Sequence, residues 1–186
     1  MATKKKAAKR APAKKVAVVK KGVTRAVDSK LRGEVEQLLF QQSEALDGKA
    51  WQSYIDCFTD DGVYWVPADP AHTHWDGMPA IFIEDKDLMT VRMRRMQHPN
   101  AWSQQAEWGT SHVIGNMTIE RVAANGDVQV RSRFHMLELR RDDVRHFAGT
   151  YRHQLKRTKS GLRIKQQRVD MVNAQAPYEY VLQAWV

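Results

Sequence analysis

Cysteine is nearly absent from this chain of 186 residues: Cys57 stands alone. One thiol excludes an intrachain disulfide and any cluster or zinc site built from several thiolates of this chain. Long apolar runs are missing too. The longest near the start is Val16-Ala17-Val18-Val19, too short for a secretory core or a membrane span. No glycine-rich phosphate loop and no G-x-S-x-G element occurs. These absences leave a protein of the cytoplasm, with no membrane segment, as the expectation.

Acidic residues are missing from one region only. Residues 1–30 carry eleven Lys or Arg and a single acid, Asp28, a net of +10. The whole chain is +9, so residues 31–186 come to about −1. The high isoelectric point therefore belongs to a Lys- and Ala-rich tail with Pro12 and no aromatic side chain. Such a stretch has too little apolar surface to offset chain entropy, and disorder is expected over 1–30. It reads either as a solvated extension or as a weak, salt-sensitive attachment to nucleic acid or another polyanion.

What remains, 31–186, is long enough for one domain with a real core. Val35, Leu38, Leu39, Gln42, Ala45 and Leu46 fall at helical spacing, and Asp47-Gly48 stops the run. A second helix is expected near 49–58, with Trp51, Tyr54, Ile55 and Phe58 on one side. Thr59-Asp60-Asp61-Gly62 reads as a turn into a short strand, Val63-Tyr64-Trp65-Val66, closed by Pro67. Residues 68–80 read as a loop. A third helix follows Asp85, carrying Leu88, Val91 and Met96, with Arg92, Arg94 and Arg95 on its polar side.

The remainder is strand: 109–121, 127–140, 144–157 and 162–174, joined by Asn125-Gly126, Arg141-Asp142-Asp143 and Lys159-Ser160-Gly161. Val128, Val130, Phe134 and Met136 share one parity; Phe147, Tyr151 and Leu155 share another. In the last strand the parity slips between Ile164 and Val169, as a β-bulge would cause. Helices first and a long antiparallel meander after make an α+β domain, with the helices in the concave side of a coiled sheet. Trp51 and Trp65 are expected in the core, and Trp75, Trp102, Trp108 and Trp185 in loops or at the chain end, where tryptophans anchor interfaces.

FTDDGVYWVP, EDKDLMTVRMRRM, Ala101-Trp102, SHVIGNMTIE, VQVRSRFHMLELRR and FAGTYRHQLKRTKSGLRIKQQRVDMV follow one another over about 34–175. In this order and spacing the chain resembles the small (beta) subunits of Rieske-type aromatic-ring-hydroxylating dioxygenases. The resemblance implies a cone of curved antiparallel sheet closed by N-terminal helices, like nuclear transport factor 2 and ketosteroid isomerase. It implies a bacterial hexamer of three alpha and three beta chains, with the Rieske [2Fe-2S] cluster and the mononuclear non-haem iron in alpha. The basic tail lies outside the pattern. Where the family has Arg-x-Arg-His, this chain reads Gly109-Thr110-Ser111-His112, so only His112 carries over.

A Rieske cluster takes two Cys and two His, which one Cys cannot supply. His72 and His74, beside Asp69 and Asp76, have the residue types of a mononuclear iron site, but their turn-forming neighbours favour an exposed loop. Tyr54, Asp56, His112, His135, Tyr151 and Asp170 are the types an acid–base site inside a cone would use, with no spacing that singles out a pair. Arg168 and Asp170, two apart on one strand, share a face. Cys57 reads as a buried structural thiol. The reading is a subunit without catalytic, cofactor-binding or metal residues of its own, with Trp65, Arg92, Arg95, Trp102, His112, Arg168 and Asp170 as candidates for subunit contacts. The alternative is a stand-alone isomerase, dehydratase or hydrolase of the same cone fold.

Overall fold

The structure, a computed structural model, describes residues 28–104, 107–178, 182 and 184–186. The expectation of a disordered tail falls almost wholly outside these residues. Asp28 caps the first helix, α1 (Ser29–Asp47), by accepting the Lys30 amide, and Gly48 ends it. The face predicted from spacing is the buried one. The second helix, α2 (Trp51–Asp56), is shorter than its apolar pattern suggests, because Cys57 ends it and Phe58 already belongs to a strand.

Six strands form one sheet: β1 (Phe58–Pro67), β2 (Ala80–Asp85), β3 (Trp108–Val122), β4 (Val128–Arg140), β5 (Asp143–Thr158) and β6 (Gly161–Met171), in the order β2-β1-β6-β5-β4-β3. The helix α3 (Lys86–Gln97) follows β2 directly. The meander β3 to β6 is antiparallel, built on turns that put Gly126, Arg141 and Gly161 at positive φ. The exception to antiparallel pairing is β1 on β6, which run parallel. The strand β2 was not foreseen: Ile81, Phe82 and Ile83 are only half-buried and follow a loop rich in turn formers.

One detail corrects the reading of residues 58–67. Thr59 to Gly62 is not a turn between helix and strand but a bulge inside β1. Phe58 pairs with Ile164 and the next pair is Val63 with Gln166, so four residues oppose Lys165 alone. Gly62 is required there, since a Cβ would lie 2.9 Å from the Thr59 carbonyl oxygen and the Phe58 Cβ. The slip expected in the last strand is real and sits at the same place: Gln154 faces Gln166 and Leu155 faces Ile164, leaving Lys165 over.

The inner face of the sheet and the helices enclose one core. Phe134 and Tyr151 stack with ring centroids 4.2 Å apart. Gly149 brings β5 tightly against β6; a Cβ there would fall 2.1 Å from the Asp170 carbonyl oxygen. Trp108 and Trp185, expected in loops, are core residues. Trp108 opens β3 and stacks on Trp51, and Trp185 packs on Trp51 and Tyr54. The third helix also turns differently from its predicted face. It buries Met89 and Met96, leaving Leu88 and Val91 more than half exposed. The stripe of Met89 and Met96 carries Arg92 inward with it at helical spacing.

Candidate subunit interface

The outer face of the sheet, away from the helices, divides into two halves. On the β1–β6 side the chain covers itself. Trp65 and Arg168 are register partners, and the guanidinium lies over the indole, 4.5 Å from its ring centroid. Arg168 Nε donates to Asp170 at 2.6 Å, while its terminal nitrogens donate to the carbonyls of Pro70, at 2.9 Å, and of His72. Arg152 donates to the other Asp170 oxygen at 3.0 Å. Residues 69–76 are thereby strapped across the outer face, and Trp65 is 1% exposed beneath them. A cleft of about 360 Å³ beside the strap is lined by Trp65, His74, Trp75, Glu120, Arg152 and Arg168.

On the β3–β4–β5 side none of the described residues covers the sheet. Cross-strand partners share a face, so three rows lie side by side: Val113, His135 and Ala148; Ser111, Leu137 and His146; Gly109, Leu139 and Val144. Val172, whose amide donates to the Ala148 carbonyl, extends the first row. Val113, Leu137, Leu139, Val144 and Val172 are between 36% and 81% exposed. These apolar side chains share the face with the exposed Ser111, His135 and His146.

The other candidates lie elsewhere. Arg92 is spent inside the chain. Its guanidinium pairs with the Glu84 carboxylate, the Nε at 2.7 Å, and stacks on Phe82 at 4.0 Å, and Glu84 also accepts from the Trp185 indole at 2.8 Å. Arg95 is on the exposed side of α3, sharing a stripe with Leu88 and Val91. Trp102 is 81% exposed, on the single helical turn Trp102–Gln104 that follows.

His112 is held by the end of α1. Asp47 accepts from its backbone amide at 2.8 Å, contacts its ring Nδ1 at 2.6 Å and accepts from the Thr110 hydroxyl at 2.9 Å. Partial burial works against the Asp47 charge, but these hydrogen bonds outweigh it and hold the carboxyl below its usual range. The sequence reading missed Asp47 as a partner because α1 and β3 lie far apart along the chain.

Asp60 and Asp61, on the bulge, are both exposed. Asp61 pairs with Lys165 across the bulge, and that bond brings its pKa down to about 2. Of the acid–base types, Tyr54 and Tyr151 are fully buried with their hydroxyl pKa values raised by burial, while Asp56 and His135 are exposed. The structure brings none of these into an acid–base pair with another. His72 and His74 are in the strap, and among the described residues no group of three or more His, Cys, Asp or Glu is placed to hold a metal ion. Cys57 is buried, its thiol pKa raised by desolvation. These residues do not fit a Rieske cluster or a mononuclear iron.

The helices and the curved six-stranded sheet together define a fold of the cone class, with part of its outer face exposed. A family model described as "Ring hydroxylating beta subunit" matches residues 41–177, and the chain belongs to that family, the beta subunits of aromatic-ring-hydroxylating dioxygenases. It is 27% identical over 146 residues to the 2-halobenzoate 1,2-dioxygenase small subunit of Burkholderia cepacia, covering 75% of this chain and 87% of that one. It is 28% identical over 140 residues to the small oxygenase component of the p-cumate 2,3-dioxygenase system of Pseudomonas putida, covering 74% and 77%. Among solved structures it superposes on a naphthalene 1,2-dioxygenase with a TM-score of 0.69 at 20% identity, covering 86% and 87%. The beta subunit of benzoate 1,2-dioxygenase from Burkholderia mallei gives 0.65 at 22%, covering 86% and 100%. The cone fold is thus confirmed, and membership in this family does not favour the stand-alone isomerase reading.

Proposed function

We propose that this chain is the structural subunit of a bacterial cytoplasmic ring-hydroxylating oxygenase, assembling as three beta and three alpha chains. The Rieske cluster and the mononuclear iron reside in alpha, and the beta chains trimerise and hold the alpha chains so that electrons pass between neighbours. The observation that carries this reading is the bare apolar half of the outer sheet face. Val113, Leu137, Leu139, Val144 and Val172 expose more apolar surface in one place than a chain working alone would be expected to show. The stripe of Leu88, Val91 and Arg95 with Trp102 is a second uncovered surface, as a subunit that contacts both its own kind and a different chain requires. On this reading Arg95, Trp102 and the sheet rows make the contacts. Trp65, Arg168 and Asp170 shape the neighbouring strap, Arg92 supports α3 from within, and His112 fixes the edge strand β3.

The test is co-expression with the reading frame beside it, followed by native mass spectrometry. A hexamer of two chain types, the other bearing a C-x-H…C-x-x-H pattern, is the expected result. Recovery of this chain as a monomer, or beside a partner without that pattern, would overturn the proposal.

A further inference from the structure

The inner face of the cone holds a cluster of neutral polar side chains that do not satisfy one another. Gln42 of α1, Tyr54 of α2, Ser132 of β4, His153 of β5 and Gln167 of β6 are each no more than 1% exposed. Gln167 Oε1 accepts twice, from Gln42 Nε2 and from the Tyr54 hydroxyl at 3.3 Å. In this arrangement the Gln167 Nε2 is turned away from both, and it has no partner among the described residues. Directly opposite Gln167 on β5 stands His153, and neither of its ring nitrogens has a partner among the described residues. Ser132, paired with Tyr151, is the diagonal neighbour of His153 on the same face, and its hydroxyl also has no partner among the described residues. Gln42 Oε1 is the fifth such atom.

Buried polar atoms are almost always hydrogen-bonded, and five left bare in one core would cancel much of the net stability of a domain this size. The chemistry of the cluster specifies what satisfies them. Its groups are uncharged; burial pushes the His153 pKa down to about 3, so the ring is a neutral imidazole with one donor and one acceptor. An ion would be desolvated there without an opposite charge. The occupant must accept from Gln167 Nε2 and donate to an imidazole nitrogen or to Gln42 Oε1, and it must be small.

We infer that the cone interior is a hydration site: bound water bridges Gln167 Nε2 to the His153 ring and links Ser132 and Gln42 into one network. Water is the smallest neutral molecule that both donates and accepts, and a polar chamber with several partners is where buried water is held. The inner face is therefore wet at its centre, between the Phe134–Tyr151 stack and the helices.

A crystal structure of the assembled protein at a resolution that shows ordered water tests this directly. The expected result is compact density about 2.6–3.2 Å from both Gln167 Nε2 and one His153 nitrogen. A direct Gln167–His153 hydrogen bond, an empty gap, or density for a larger organic molecule would each overturn it. Thermal unfolding of His153→Leu gives an independent sign. With water in place the substitution strands the bridge and lowers the midpoint by about 3 °C or more, and adding Gln167→Met recovers more than half of that loss. If His153 stands in a dry core, His153→Leu removes an unsatisfied ring and raises the midpoint, which would sink the inference.

Discussion

The two halves of the outer sheet face are built from the same kind of strand and end differently. Over β1 and β6 a large ring, Trp65, is sealed by Arg168 and by residues 69–76. Over β3, β4 and β5 medium-sized aliphatic side chains in three rows are left bare. The sealed half shows what this chain does with apolar surface it must hide by itself: it lays a loop across and ties it with a guanidinium. Among the described residues no such device lies over the strands β3 to β5, which is why that face is the proposed contact surface.

Breaking the bare half should give the largest effect. Leu137→Asp combined with Val144→Asp places two unpaired charges in the proposed contact. It should weaken assembly by at least about a hundredfold, or ~3 kcal/mol, read as loss of the hexamer in native mass spectrometry with the far-ultraviolet spectrum of the chain unchanged. Retention of the hexamer would refute the assignment of this face.

The sealed half should respond in the opposite way, in stability and not in assembly. Arg168→Ala removes the ties to Asp170, Pro70 and His72 and uncovers Trp65, for an expected loss of about 2–3 kcal/mol. Limited proteolysis should then cut within 69–76 first. Arg168→Lys restores less than half, because an ammonium cannot reach three acceptors in a fixed fork. Equal protease resistance of all three proteins would show that the strap is held by something else.

The inner face supplies a control that titrates. His153 has its folded pKa depressed to about 3 from an ordinary 6.5. As pH falls below 6.5 the unfolded chain takes up the proton and the folded chain does not. Stability is therefore complete above that value and declines by ~1.4 kcal/mol per pH unit toward pH 3. Between pH 6.5 and 5 the loss should reach about 2 kcal/mol, and in His153→Leu this part of the slope should vanish. Denaturant midpoints at several pH values measure it; an unchanged slope in the variant would assign the acid sensitivity to other groups.

The smallest effect belongs to Trp102→Ala. Because that side chain is mostly in solvent, the isolated chain should lose less than about 0.5 kcal/mol, while alpha-chain binding weakens measurably. A variant that binds alpha as well as the native chain would remove Trp102 from the interface.

Much of this was legible in the residues. Strand parity named the inner residues of β4 and β5, helical spacing named the buried face of α1, and the slip in the last strand located a bulge. The Arg168–Asp170 pair was visible from a spacing of two on one strand. What escaped depended on partners far off in the chain. Trp108 and Trp185 look like loop residues until α2 is placed between them. Arg92 looks like surface charge until Glu84 comes from β2 to meet it, and only then does the Met89–Met96 face of α3 win over the Leu88–Val91 face. The Thr59–Gly62 bulge was read as a turn because its residues are turn formers; Lys165 on a strand about a hundred residues away makes it part of a sheet. The two acids on that bulge are fastenings, Asp61 to Lys165 on β6 and Asp60 to Lys86 at the start of α3.

The parallel pairing of β1 with β6 has a consequence in time. The strands β3 to β6 meet their neighbours through short turns, whereas Trp65 must find Arg168 across the whole intervening chain. Loop closure over that distance comes late in folding. During synthesis β6 emerges well after β1, so Tyr64, Trp65 and Val66 wait unpaired on that side until the meander is made. Pulse-labelled hydrogen exchange should find β4 and β5 amides protected before those of β1. The strap is then the last part tied, and in a newly made chain the bare rows of β3 to β5 stand exposed before that seam is closed.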